Sequence, residues 1–210
     1  MRVAIALAAV AALGGGCHRA ATPSAPGAAP DLAARRLDGM GRAMLDPTRV
    51  DIMQPDALVA RMHLAPDAVV ADVGAGPGAF SHALARAVPR GKVIATDIKA
   101  EYLERIEADA RAHGETNVET RLVAPDGNGL GTAEVDVAFL CQVDHYLRDR
   151  PAYLRALGPA LRPGGRVVIV NYLRARDAID ALAPTLGWRE VDRWEPVMGF
   201  FARAYSPATP

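Results

Sequence analysis

The sequence predicts a doubly wound α/β fold: a mostly parallel sheet with helices on both faces. Three observations predict it. Short apolar runs alternate with stretches of helical spacing, the pattern of strands crossing over through helices. The run Val69–Val73 leads straight into a turn carrying Gly74, Gly76 and Gly78, and a helical pattern (Phe80, Leu84, Val88) follows, so the glycines sit between a buried strand and a helix start. Half of the 210 residues are hydrophobic, enough for one three-layer core.

The chain opens with Met1-Arg2, an apolar run Val3–Leu13, then Gly14–Gly16 and Cys17. A single positive charge, a short apolar core and small residues predict a secretory signal over residues 1–16. The run is short for a membrane span. A cysteine directly after small residues resembles a bacterial lipoprotein signal, although Gly14 stands where that family prefers Leu. The resemblance implies cleavage before Cys17, lipidation of Cys17, and export to a membrane face in the periplasm. Plain secretion is one alternative. An internal start, at Met40 or Met44, is the other and gives a cytoplasmic protein. Residues 17–30 are rich in Ala, Pro, Gly and Ser, as in a flexible tether.

Residues 31–65 predict covering helices. One runs over Leu32–Leu45, ended by Asp46-Pro47, and a second over Pro55–Leu64. Residues 66–210 form the main domain. Lys92–Ile98 reads as a second strand that carries Asp97 near its end, before a helix beginning near Ala100. Val135–Leu140 reads as a fourth strand. Pro151–Leu161 reads as a helix, Arg162–Gly165 as a tight turn, and Arg166–Tyr172 as the next strand. A helix over Asp177–Leu186 precedes two closely spaced strands, Trp188–Trp194 and Gly199–Tyr205, which predict an antiparallel hairpin.

Two glycine templates compete for the first turn. Gly74, Gly76 and Ala79 fit G-x-G-x-x-G/A loosely, the dinucleotide pattern. Asp72, Gly74, Gly76 and Gly78 fit Asp-x-Gly-x-Gly-x-Gly in full. This second pattern resembles motif I of the class I S-adenosylmethionine-dependent methyltransferases. The run Leu161–Val167 is similar to the turn before strand five of the same family. The resemblance covers Pro55–Tyr205 and implies a Rossmann-like sheet of seven strands, mostly parallel, with an antiparallel last strand.

It also implies S-adenosylmethionine as cofactor, held by Asp72, Gly74, Ala75, Gly76, Gly78, Asp97, Ile98, Asp126 and Gln142. Asp97 lies at about the 20-residue offset of a carboxylate that grips ribose hydroxyls; the alternative is that it only caps the helix beginning near Ala100. Asp126 stands where the family often contacts the adenine amino group, or belongs to a polar loop. On the acceptor side, His145 and Asp144 are the catalytic candidates, His145 as a base near neutral pH or as a loop contact. The segment resembles a subgroup with paired histidines, and Tyr146 takes the place of the second. Asn171 and Tyr172 are further pocket candidates.

The 24 basic and 24 acidic residues cancel, and no basic run is present, which argues against nucleic-acid binding. The five histidines and two cysteines show no metal-ligand spacing. The expected partner is a small-molecule methyl acceptor, with membrane contact only through Cys17; no oligomeric state follows. An exported enzyme would lack an obvious cofactor supply, so a non-catalytic binding module remains a rival. A nicotinamide-dependent oxidoreductase is the other.

Overall fold

The structure, a computed structural model, describes residues 37–195, 197 and 199–207. The expected signal over 1–16, the lipidation site Cys17 and the tether over 17–30 lie outside these residues. Three short helices lead: α1 (Gly39–Met44), α2 (Pro47–Met53) and α3 (Pro55–Arg61). Asp46-Pro47 does end the first helix, but it also begins the next. The Asp46 carboxylate accepts from the backbone N–H groups of Thr48 (3.0 Å) and Arg49 (3.3 Å). Pro47 occupies the first turn, where its missing N–H costs nothing.

The main domain then alternates: β1 (Val69–Val73), α4 (Ser81–Ala87), β2 (Lys92–Asp97), α5 (Ala100–His113), β3 (Val118–Leu122), β4 (Val135–Cys141), α6 (Arg150–Leu157), β5 (Leu161–Tyr172), α7 (Arg176–Thr185), β6 (Trp188–Trp194) and β7 (Phe200–Pro207). The strands form one seven-stranded sheet in the order β3-β2-β1-β4-β5-β7-β6. β1 pairs in parallel with β2 and β4, and β7 runs antiparallel to both β5 and β6. The doubly wound sheet with an antiparallel last strand is therefore present as expected.

Two elements differ from the sequence reading. The turn at Arg162–Gly165 lies inside β5: Leu161 pairs with Val135 and Arg166 with Val137, so the intervening residues bulge out of the ladder. The helix expected over Pro151–Leu161 stops at Leu157 and finishes as a 3-10 turn, Gly158–Ala160.

Alternation along the strands builds two cores. On one face Val70, Phe139 and Val168 pack against Leu58 and Val59 of α3 and Leu84 of α4. On the other Ala71, Leu140 and Ile169 pack against Leu154 of α6 and Ile179 of α7. Strands covered on both faces need continuous apolar runs, which is why β1, β4 and β5 were readable. The buried Arg203 of β7 is matched by Asp180 of α7 (3.0 Å) and Glu190 of β6 (3.4 Å), which compensates its lost hydration.

Chain order reverses between β1 and β4, and such a switch point opens a crevice at the carboxyl ends of the strands. Phe139 beneath it is fully buried, its ring 5.3 Å from that of Phe80. Phe139→Ala is expected to cost about 3–5 kcal/mol, read as a lower denaturation midpoint at unchanged slope. A cost under about 1 kcal/mol would contradict this packing.

Candidate functional site

The carboxyl ends of β1, β2, β4 and β5 share one cavity of about 590 Å3, within the range of small-ligand pockets. Gly74, Ala75 and Gly76 line it directly after β1. Gly74 has φ +68° and Gly78 φ +95°, left-handed values that favour glycine. A Cβ at Gly74 would stand 2.7 Å from Val143, and one at Gly78 2.8 Å from Ile106. The turn is thus pressed between the segment after β4 and helix α5. Gly78 supports it from beneath and does not line the cavity.

Asp97 fixes the turn. Its carboxylate accepts from the backbone N–H of Gly76 at 2.8 Å and of Lys99 at 3.0 Å. Both roles read from the sequence are compatible, because a carboxylate has about four acceptor sites and can still take hydroxyls. Burial pushes its pKa up, and the backbone N–H groups oppose that. Asp72 is buried deeper and accepts the Ser81 hydroxyl at 2.7 Å. Burial raises its pKa to about 7, the Ser81 hydrogen bond opposes the rise, and the charge of Asp97 adds to it.

Ile98, 55% exposed, lines the cavity beside Val123 and Pro125, an apolar surface suited to a planar base. Asp126 corrects an expectation: it is exposed and absent from the lining, which its neighbours Pro125 and Gly127 supply instead. Gln142 does line the cavity. It holds a left-handed φ of +59°, and its Oε1 accepts from Arg49 of α2 at 2.7 Å.

His145 also lines the cavity, but Asp144 does not. Asp144 is fully buried, accepts a hydrogen bond from the Asn171 amide, and has Arg150 Nε at 3.5 Å. It cannot touch a substrate, so its part is positional. The Asn171 amide is oriented from both ends: its Oδ1 accepts the Tyr172 N–H at 2.7 Å, and its Nδ2 faces Asp144. The same Nδ2 lies 3.1 Å from His145 Nδ1. A donor there makes Nδ1 an acceptor, so the neutral ring carries its proton on Nε2. Burial lowers the His145 pKa, Asp144 opposes that, and Arg174 and Arg150 reinforce it.

Among the lining residues that sequence reasoning missed are Arg49, Tyr153 and Arg174. Arg49 and Arg174 lie just after helix and strand signals that were read only for their ends. Tyr153 carried no signal apart from its helix.

Comparison with known proteins agrees with this geometry. Residues 71–167 match the family model described as a methyltransferase domain. No curated protein sequence matches the chain. Among solved structures, a SAM-dependent methyltransferase from Aquifex aeolicus is similar at TM-score 0.74 and 20% identity, over 81% of this chain and 98% of that one. A ribosomal protein L11 methylase from Lactobacillus delbrueckii subsp. bulgaricus is similar at TM-score 0.62 and 19% identity, over 76% of this chain and 79% of that one. The [4+2]-cyclase SpnF is similar at TM-score 0.65 and 15% identity, over 75% of this chain and 81% of that one.

Residues 71–167 thus match a methyltransferase-domain model, and the chain has the fold of the S-adenosylmethionine-dependent methyltransferase it resembles. The similar Aquifex aeolicus protein is SAM-dependent, which makes S-adenosylmethionine the ligand to test against this cavity. The residues present fit that molecule. Asp97 offers a diol acceptor, Ile98 and Val123 a platform, and the buried Thr96 Oγ1 on the cavity wall has no partner among the described residues. A cationic ligand beside the buried Asp72 would favour the charged form of its carboxylate.

Asp72 gives this site a pH signature. Its folded pKa of about 7 lies above the ordinary aspartate value of 3.8, so between these values the folded state holds a proton that the unfolded state has lost. Stability from this group is greatest below the lower value and falls as pH rises through the upper one. Asp72→Asn is expected to melt a few degrees above the parent near pH 8 and level with it near pH 4. Equal melting at both would show Asp72 to be ionised without penalty.

Proposed function

We propose that this protein transfers the methyl group of S-adenosylmethionine to a small-molecule acceptor held at the His145 end of the cavity. One observation carries the reading: a single cavity runs from the glycine turn and Asp97 to His145 and Tyr172. A cofactor at one end and an acceptor at the other would meet inside it, and proximity with orientation accounts for most of what such a displacement needs. When bound, the cofactor supplies a methyl group on a sulfonium, already an activated leaving group.

The chain's own residues bind, orient and exclude water. The turn from Gly74 to Gly76 and the Asp97 carboxylate hold the cofactor's polar parts. Met40 and Met44 of α1 line the opposite wall and narrow access by water. His145, oriented by Asn171, faces the acceptor.

A second reading keeps the fold and the ligand without methylation, since a protein of similar fold is a [4+2]-cyclase. The intact Asp72, Asp97 and glycine set supports a working cofactor site, which both readings share, over a decayed one. The zero formal charge supports a small acceptor over nucleic acid. Export and lipidation at Cys17 belong to the same proposal, supported by the apolar run and small residues before it. Labelled palmitate should enter the protein in bacterial cells and be lost in Cys17→Ser; equal labelling of both would remove the anchor.

Calorimetric titration of the purified protein with S-adenosylmethionine and S-adenosylhomocysteine tests the cofactor site. Asp97→Ala should weaken both by roughly 1–3 kcal/mol, about 5–150-fold. Absence of binding by the parent protein would sink the methyltransferase reading. Binding without methyl transfer to any acceptor would favour the second reading.

A further inference from the structure

The acceptor end of the cavity is rich in donors and poor in bases. Among the described residues its only lining carboxylates are Asp72 and Asp97, and both are committed to the cofactor turn. Asp144 is sealed beneath the wall. His145 Nδ1 is blocked by the Asn171 amide, so the ring offers Nε2–H, a donor. Burial pushes the Cys141 thiol far up and the Tyr153 phenol up to about 12. Lys99 is bound to Asp38. A base able to take a proton from an acceptor is missing from this set.

Positive charge is present instead. Arg49 and Arg174 both line the cavity, and neither pairs with a carboxylate among the described residues. Arg49 is spent on Gln142 and the Met44 carbonyl, at 2.7 and 2.8 Å. Arg174 is exposed, and its guanidinium lies 4.4 Å over the Tyr172 ring. That contact holds the fork in place and leaves its donors open for a planar oxyanion. Aromatic rings line the same cavity: His145 stands 4.2 Å from Tyr146 and 6.3 Å from Tyr172. Such faces suit a flat acceptor.

We propose that the acceptor is a planar organic oxyanion, a carboxylate or an ionised enol or phenol, recognised by Arg174 and the Nε2–H of His145. The inference rests on the methyl-transfer reading of the same cavity. The step balances without a base. An electron pair of the anion forms the new bond to the methyl carbon, and the carbon–sulfur pair returns to sulfur. A cation and an anion become two neutral products, and no proton moves. His145 then orients the anion and does not deprotonate it.

The test uses purified protein saturated with S-adenosylhomocysteine and titrated with 4-hydroxybenzoate and salicylate, each beside its carboxamide. At least one acid is expected to bind about ten-fold or more tightly than its amide, about 1.4 kcal/mol by the affinity relation. Arg174→Gln should erase that preference and Arg174→Lys should retain part of it, with S-adenosylhomocysteine affinity unchanged in both. An amide bound as tightly as its acid, a preference that survives Arg174→Gln, or no binding of any probe would overturn the proposal. Loss of S-adenosylhomocysteine binding by the parent protein would instead defeat the cofactor reading on which it rests.

Discussion

The contact on which the site depends is the one between the Asp97 carboxylate and the backbone N–H of Gly76, 2.8 Å long and buried. A left-handed turn has no regular partner for its N–H groups, and an unpaired buried donor is costly. Asp97 supplies that partner from the end of the neighbouring strand. Its second oxygen takes the Lys99 N–H, so one side chain joins the glycine turn to the start of α5. Ile106 of the same helix fills the space that a side chain at Gly78 would need. The turn therefore cannot shift without moving the helix beneath it.

Charge is divided along the cavity. Asp72 and Asp97 lie at the glycine end, while Arg49, Arg174 and the donor face of His145 lie at the other. Low dielectric strengthens both ends. The arrangement costs stability where Asp72 must ionise, and a cationic ligand beside it offsets that cost by favouring the charged carboxylate. The buried acid is thus better explained by the ligand than by the fold, which would be served as well by a neutral side chain accepting from Ser81.

Much of this was legible in the chain, for reasons that also explain what was not. The interior strands β1, β2 and β4 were readable because burial on both faces demands apolar runs. β3 went unplaced because Val-Glu-Thr-Arg-Leu is a partly exposed edge strand with three polar residues in a row, so it has neither an apolar run nor an alternation to find. Helix α2 was missed because Asp46-Pro47 serves as stop and start at once, and only the stop was read. In the cavity, the turn and Asp97 lie together as their spacing suggests, because one crossover helix sets the distance in sequence between the ends of two adjacent parallel strands. That Asp126 and Asp144 lie off the cavity lining was not legible, because side-chain direction in a loop or a 3-10 turn has no period. Arg174 was invisible because its position depends on the ring of Tyr172, a contact that spacing does not encode.

The N-terminal helices do more than cover the sheet edge. Asp38, just before α1, accepts from Gly41 N and Tyr102 Oη and pairs with Lys99, the residue whose backbone N–H Asp97 holds. Those contacts keep its carboxyl well below the ordinary range. At the other end Arg49 of α2 grips Gln142, a non-glycine residue held at a left-handed φ. Backbone strain of this kind persists only where neighbours over-determine it, and Arg49 is one of those neighbours. Between the two ties, Met44 lies over the glycine turn, 3.1 Å from where a Cβ of Gly76 would stand. The cover and the floor of the cavity are therefore joined through Lys99 and Gln142. A ligand that displaced Met44 would act on both ties together, because they share the short segment Asp38–Arg49.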